Sequence, residues 1–221
     1  DDPKNPKAYY NFGTLKFMQK DYNGAIQQFN KTISIDADFA YAYNDRGSCY
    51  RMMEQYDKAI QDYEQAAKKN PKLALALNNI GSTYKKMKQY EQAMEAYNRA
   101  ISVDKNFYLS YNNRGGVQYD QGRYDDAISD FNKAIELNSN YAAAYNNRAA
   151  AKYKKGDYKG SEADCNKAIS IDAEYASAYV NRGIAREKLR KAVEACNDFK
   201  KARALGSEVG KAYYVNNCGN E

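Results

Sequence analysis

The chain has no His and no Trp, and only three Pro among its 221 residues. Without His there is no His-based catalytic triad and no His metal site. Leu, Ile, Val and Phe together number 32. That is too few for an all-β core, which draws on Val and Ile, and taken alone it hints at disorder. No run of 18 apolar residues occurs, so no membrane span is expected. Residues 1–20 lack a basic stretch followed by an apolar one, so no signal peptide is expected. The start at Asp1-Asp2-Pro3 suits a mature exported form or an excised domain equally. A soluble protein is expected, with cytoplasmic and exported placements both open.

What the chain does hold is Ala (32 residues) and Tyr (23). Its apolar material is either very small or large and amphipathic. Ala, Lys, Glu and Gln, with only 13 Gly, favour helix. No Ser/Pro/Gly-rich linker divides the chain. The four Cys (Cys49, Cys165, Cys196, Cys218) form no CxxC pair. They are read as free thiols, buried or terminal, and no cofactor or metal is expected.

The string YAYNDRG at Tyr41–Gly47 returns as LSYNNRG at Leu109–Gly115, AAYNNRA at Ala143–Ala149 and SAYVNRG at Ser177–Gly183. Every spacing is 34 or a multiple of it, and six windows tile residues 6–39, 40–73, 74–107, 108–141, 142–175 and 176–209. Position 4 of the windows is Tyr except for Leu77, and position 8 is Gly except for Ala149. Position 20 is Ala except for Ser161, and position 24 is aromatic except for Cys165. Positions 4, 8, 11 and 20, 24, 27 are each one stripe of an α-helix. Each window therefore predicts two helices, near positions 2–14 and 18–30, joined by a turn such as Gly122-Arg123. A lone hairpin leaves its apolar stripe uncovered, so the windows must stack into a solenoid.

This pattern resembles the tetratricopeptide repeat, over essentially the whole chain. The resemblance implies an all-α, right-handed superhelical solenoid, read as a single domain over residues 1–221 with a capping helix near 210–217. The last window carries Arg190 and Ala192 where a turn Gly and a Tyr are expected, so a different turn is anticipated there.

Position 7 is Arg46, Arg114, Arg148 and Arg182 in four windows. In those same four, position 23 is Asp62, Asp130, Asp164 and Asp198. This covariation predicts an Arg–Asp bridge between the two helices of each repeat, favoured over an arginine row that binds ligand.

Opposite the first helix's core stripe lie positions 2, 6, 9 and 13, flanked by 5 and 12. The resemblance makes this surface a concave groove for partners. Position 6 reads Asn11, Asp45, Asn79, Asn113, Asn147 and Asn181, and position 5 supplies Asn44, Asn78, Asn112 and Asn146. A carboxamide both donates and accepts, so two such rows suit the backbone of an extended peptide. Ser48, Ser82, Arg51, Lys85, Lys86, Tyr10, Tyr41, Tyr119 and Tyr153 complete the candidate surface. Its charge is mixed but net basic, which would steer an acidic partner. The carboxylate clamp that some family members use for chaperone tails needs Lys at position 5 and Asn at position 9; no window supplies it.

The expected function is thus a non-catalytic protein-interaction scaffold that binds a protein or peptide segment. Self-association through solenoid ends is a further expectation. Nucleic-acid binding is the weaker alternative: acidic residues (28) nearly match basic ones (34), and no Lys/Arg run exceeds two. Catalysis is not expected, since there is neither His nor a GxxxxGK[ST] loop.

Overall fold

A computed structural model describes residues 4–219, so the Asp1–Pro3 start lies outside them. Thirteen α-helices and no strand occur among the described residues. The chain divides into two compact units, Asp1–Ser110 and Tyr111–Glu221. The first holds α1 (Pro6–Met18), α2 (Tyr22–Ile35), α3 (Ala40–Met52), α4 (Tyr56–Lys69), α5 (Ala74–Lys86), α6 (Tyr90–Val103) and the start of α7 (Tyr108–Asp120). The second holds the rest of α7, then α8 (Tyr124–Leu137), α9 (Ala142–Lys154), α10 (Tyr158–Ile171), α11 (Ala176–Lys188), α12 (Ala192–Ala204) and α13 (Glu208–Cys218). The fold is an all-α helical repeat solenoid.

Both helices of a repeat begin one residue earlier than the stripes predict. The first starts at position 1 and the second at position 17. Pro6 opens α1, where its fixed φ and missing N–H suit the first turn. Two second helices are capped by Asp: Asp21 accepts from the Gly24 N–H at 2.9 Å and Asp157 from the Gly160 N–H at 2.8 Å.

The turn at position 15 is the same in every repeat, the last included. Lys20, Glu54, Lys88 and Arg190 have φ of 59 to 61°, and Gly122 and Gly156 have 76 and 83°. This left-handed residue lets the next N–H reach back five residues, as Lys191 does to the Arg186 carbonyl at 2.9 Å. The hydrogen bonds set the turn, and Gly is only its least strained occupant.

Packing inside a repeat is set by positions 8 and 24. A Cβ on Gly81 would lie 2.6 Å from Tyr97 Cε1, so only Gly lets the helices close over that ring. In the fifth repeat Cys165 replaces the aromatic, and Ala149 fits opposite it; both are fully buried. Ala25, Ala59, Ala93 and Ala127, at position 20, are likewise fully buried. Within each unit, first helices also touch one another: α1 with α3, α3 with α5, α9 with α11, and α11 with α13.

At the C-terminal end, α13 folds back on α12 and stacks Tyr213 on Phe199, ring centroids 5.0 Å apart. That hairpin joins Cys196 to Cys218 in a disulfide, across 22 residues of sequence. The free-thiol expectation is corrected for this pair, because the fold-back at Gly206 brings together two helix positions that no CxxC spacing marks. Cys49 and Cys165 are free and buried.

Candidate functional site: the faces of the first helices

The two Asn rows face each other across successive repeats. In the first unit Asn79 Nδ2 donates to Asn44 Oδ1 at 3.0 Å. In the second, Asn147 donates to Asn112 at 3.0 Å and Asn181 to Asn146 at 2.8 Å. The position-5 carbonyls of Asn44, Asn112 and Asn146 are therefore engaged by the next repeat. Asn44, Asn112 and Asn146 are between 2% and 7% exposed, and Asn78, at 4%, accepts from Ser110 Oγ at 3.2 Å. Their carbonyls are used to tie one repeat to the next, and a buried amide must be paired.

The first link of this chain uses different groups in the same register. Tyr10, at position 5, donates its hydroxyl to Asp45 Oδ2, at position 6, at 2.7 Å. Asn44 Nδ2 donates to the other oxygen at 2.9 Å. Tyr10 is thus committed as well. Burial pushes the Asp45 carboxyl up, against the pull of these two hydrogen bonds. Burial and the neighbouring Asp45 push the Tyr10 phenol up.

The position-9 serines also have partners. Ser48 and Ser82 each lie 3.2 Å from the hydroxyl of a buried tyrosine, Tyr63 and Tyr97. Burial raises the Tyr97 phenol to about 12, against the hydrogen bond from Ser82 and the charge of Arg51. Arg51 is half-buried, and its Nε is sealed from solvent with no partner. Tyr41, Lys86 and Asn11 are exposed; Lys85 and Asn113 are half-buried.

In the second unit α7, α9, α10, α11 and α13 line a hollow of about 350 Å³. Tyr119, Ala150, Tyr153, Lys154, Ser161, Asn181, Ile184 and Tyr213 line it. It gathers Asn181, Tyr119 and Tyr153 of the candidate surface and adds Ser161, which sequence reasoning treated as core. The signal was present, as the one hydroxyl among the alanines of position 20. A larger hollow, about 520 Å³, lies beside the disulfide between α12 and α13, away from these helix faces.

The position-7 arginines are engaged inside the fold. Arg46 Nε and Nη2 donate to the two oxygens of Asp62 at 2.7 and 2.6 Å. Arg114 with Asp130, Arg148 with Asp164 and Arg182 with Asp198 pair the same way. Each guanidinium also lies over the position-4 Tyr of its own helix, 5.3 to 5.6 Å from the ring centroid. The remaining Nη1 reaches back one repeat: Arg46 to Asn30, Arg148 to Asn132 and Arg182 to Asn166. This Asn at position 25 was not singled out from sequence, although Asn30, Asn98, Asn132 and Asn166 stand in the window before every position-7 Arg.

Among the described residues, no group of His, Cys, Asp or Glu is placed to hold a metal ion, and no helix is long and apolar enough to cross a membrane.

Family models described as tetratricopeptide repeat match residues 6–39, 40–73, 74–107 and 142–175, and one described as TPR repeat matches residues 115–156. No curated protein matches the chain significantly. Among the solved structures that resemble it in fold are the following three. The APC/C hetero-tetramer Cut9–Hcn1 aligns with a TM-score of 0.85 at 17% identity, over 98% of this chain and 43% of that one. The chain thus spans less than half of that structure's length. PilF of Pseudomonas aeruginosa aligns with a TM-score of 0.80 at 19% identity, over 96% and 97%. YrrB, described as a TPR protein with an unusual peptide-binding site, aligns with a TM-score of 0.56 at 22% identity, over 80% and 91%.

Proposed function

Because the chain belongs to the tetratricopeptide repeat family, a family of protein-interaction scaffolds, we propose that it binds an extended protein segment on the faces of its first helices. The observation that carries this reading is the hollow of the second unit, where tyrosine rings, small side chains and a lysine without an ion pair among the described residues line one recess. Such a mix suits a peptide: apolar surface to cover, hydroxyls to meet its backbone, and a cation to favour acidic sequence. The position-6 asparagines contribute less than their number suggests, because Asn79, Asn147 and Asn181 spend an N–H on the preceding repeat. Replacing them by Ala would strand the buried carbonyls of Asn44, Asn112 and Asn146, so their loss tests stability more than binding.

A cleaner test fills the hollow from a half-buried position. The full chain is applied to an array of immobilised nine-residue peptides of randomised sequence. Ala150→Arg is expected to lower retention about tenfold, while Lys167→Glu, on an exposed second-helix face, leaves it unchanged. Equal retention by both variants, or none by the parent, contradicts the reading.

A further inference from the structure

The hollow of the second unit contains a hydroxyl that the fold does not use. Ser161 is 1% exposed, and its Oγ has no hydrogen-bond partner. Position 20 is Ala in the other five repeats, so packing asks for no hydroxyl there. A buried hydroxyl without a partner is a net cost to stability. The chain carries that cost at the one position-20 residue that lines this recess.

The rest of the lining tells what would satisfy it. Tyr119, Tyr153 and Tyr213 bring phenols, and Lys154, exposed and without an ion pair among the described residues, brings the cation of the lining. No carboxylate lines the recess. The polar groups are thus mostly donors awaiting an acceptor, while Ala150 and Ile184 supply apolar wall. Asn181 has already committed an N–H to Asn146. No guanidinium is present, and a doubly charged phosphate is better matched by an Arg cluster than by a single ammonium. A singly charged acceptor on a short apolar shaft fits the set.

We propose that this recess is the specificity pocket of the peptide-binding face, and that it takes a glutamate side chain of the bound segment. The methylenes lie along Ile184 and Ala150, and the carboxylate accepts from Ser161 and pairs with Lys154. This rests on the peptide-binding reading above and adds to it the identity of the anchor residue.

The probes are three sets of immobilised nine-residue peptides, randomised except for a central Glu, Gln or Lys, applied to the full chain and its variants. The parent is expected to retain the Glu set about fivefold over Gln and more over Lys, the scale of one exposed ion pair. Lys154→Met should bring Glu and Gln level, while Lys167→Met, on an exposed second-helix face, leaves the preference intact. Ser161→Ala should cut the Glu preference about threefold with an unchanged or raised melting temperature, since it removes an unpaired buried hydroxyl. A loss of preference through misfolding would instead lower that temperature and count against the proposal. Equal retention of the three sets, or a Glu preference that survives both Ser161→Ala and Lys154→Met, overturns the pocket assignment and leaves the peptide-binding reading standing. Retention of none of the sets overturns both.

Discussion

At the residue scale, two charged groups make opposite predictions. Asp45 is the one carboxylate in a column of asparagines, and burial raises its pKa. A carboxyl with a raised folded pKa binds its proton more tightly folded than unfolded. Its contribution to stability therefore falls as pH rises from the unfolded carboxylate range, about 4, toward neutrality. Asp45→Asn, which keeps an acceptor for Tyr10, is expected to raise the melting temperature at pH 7, with the gain vanishing below about pH 4. In the Arg–Asp pairs, removing a charge is expected to destabilise. Asp62 is 6% exposed and is bridged by Arg46, so Arg46→Met strands a buried charge at a cost of about 3–5 kcal/mol. Asp164 also holds Lys152 at 2.8 Å, so in urea titrations of the two variants Arg148→Met should cost distinctly less than Arg46→Met. Equal losses would mean that Lys152 gives Asp164 no compensation.

At the element scale, the turn separates geometry from residue type. Lys88 holds a left-handed conformation that strains a side chain. Lys88→Gly should stabilise by about 0.5–1 kcal/mol, and Gly122→Ala should destabilise by a similar amount in thermal unfolding. The helices, their stripes and the Arg–Asp covariation were legible because each recurs at a fixed offset inside one window. The turn of the last repeat was misjudged because its Gly was taken as the cause. The Asn rows were legible as rows, but not as partners. Asn44 and Asn79 stand 35 residues apart, and that pairing exists only once successive first helices are in contact. The same applies to Asn30 under Arg46. Links between windows follow from how repeats stack, and a count made inside one window misses them.

At the scale of the whole molecule, the second unit carries both a covalent clasp and the recess. The Cys196–Cys218 disulfide closes a loop of 22 residues, worth about 3 kcal/mol by loop-closure entropy. Burial raises the Cys49 and Cys165 thiols to about 12. Alkylation of the native chain should therefore label no thiol until a reductant is added, and then Cys196 and Cys218 first, with a fall in the unfolding temperature. The recess, by contrast, was invisible in composition. It is lined by residues from five helices, and its unpaired hydroxyl reads in sequence as one more small core residue. We propose above that the faces of the first helices bind a peptide, with this recess as the anchor. The most direct measurement follows the amide resonances of the full chain as a retained Glu-centred peptide is titrated in. Saturable shifts gathered at Tyr119, Ala150, Tyr153, Ser161 and Ile184 are expected. Shifts confined to the second helices, or scattered without saturation, would contradict it.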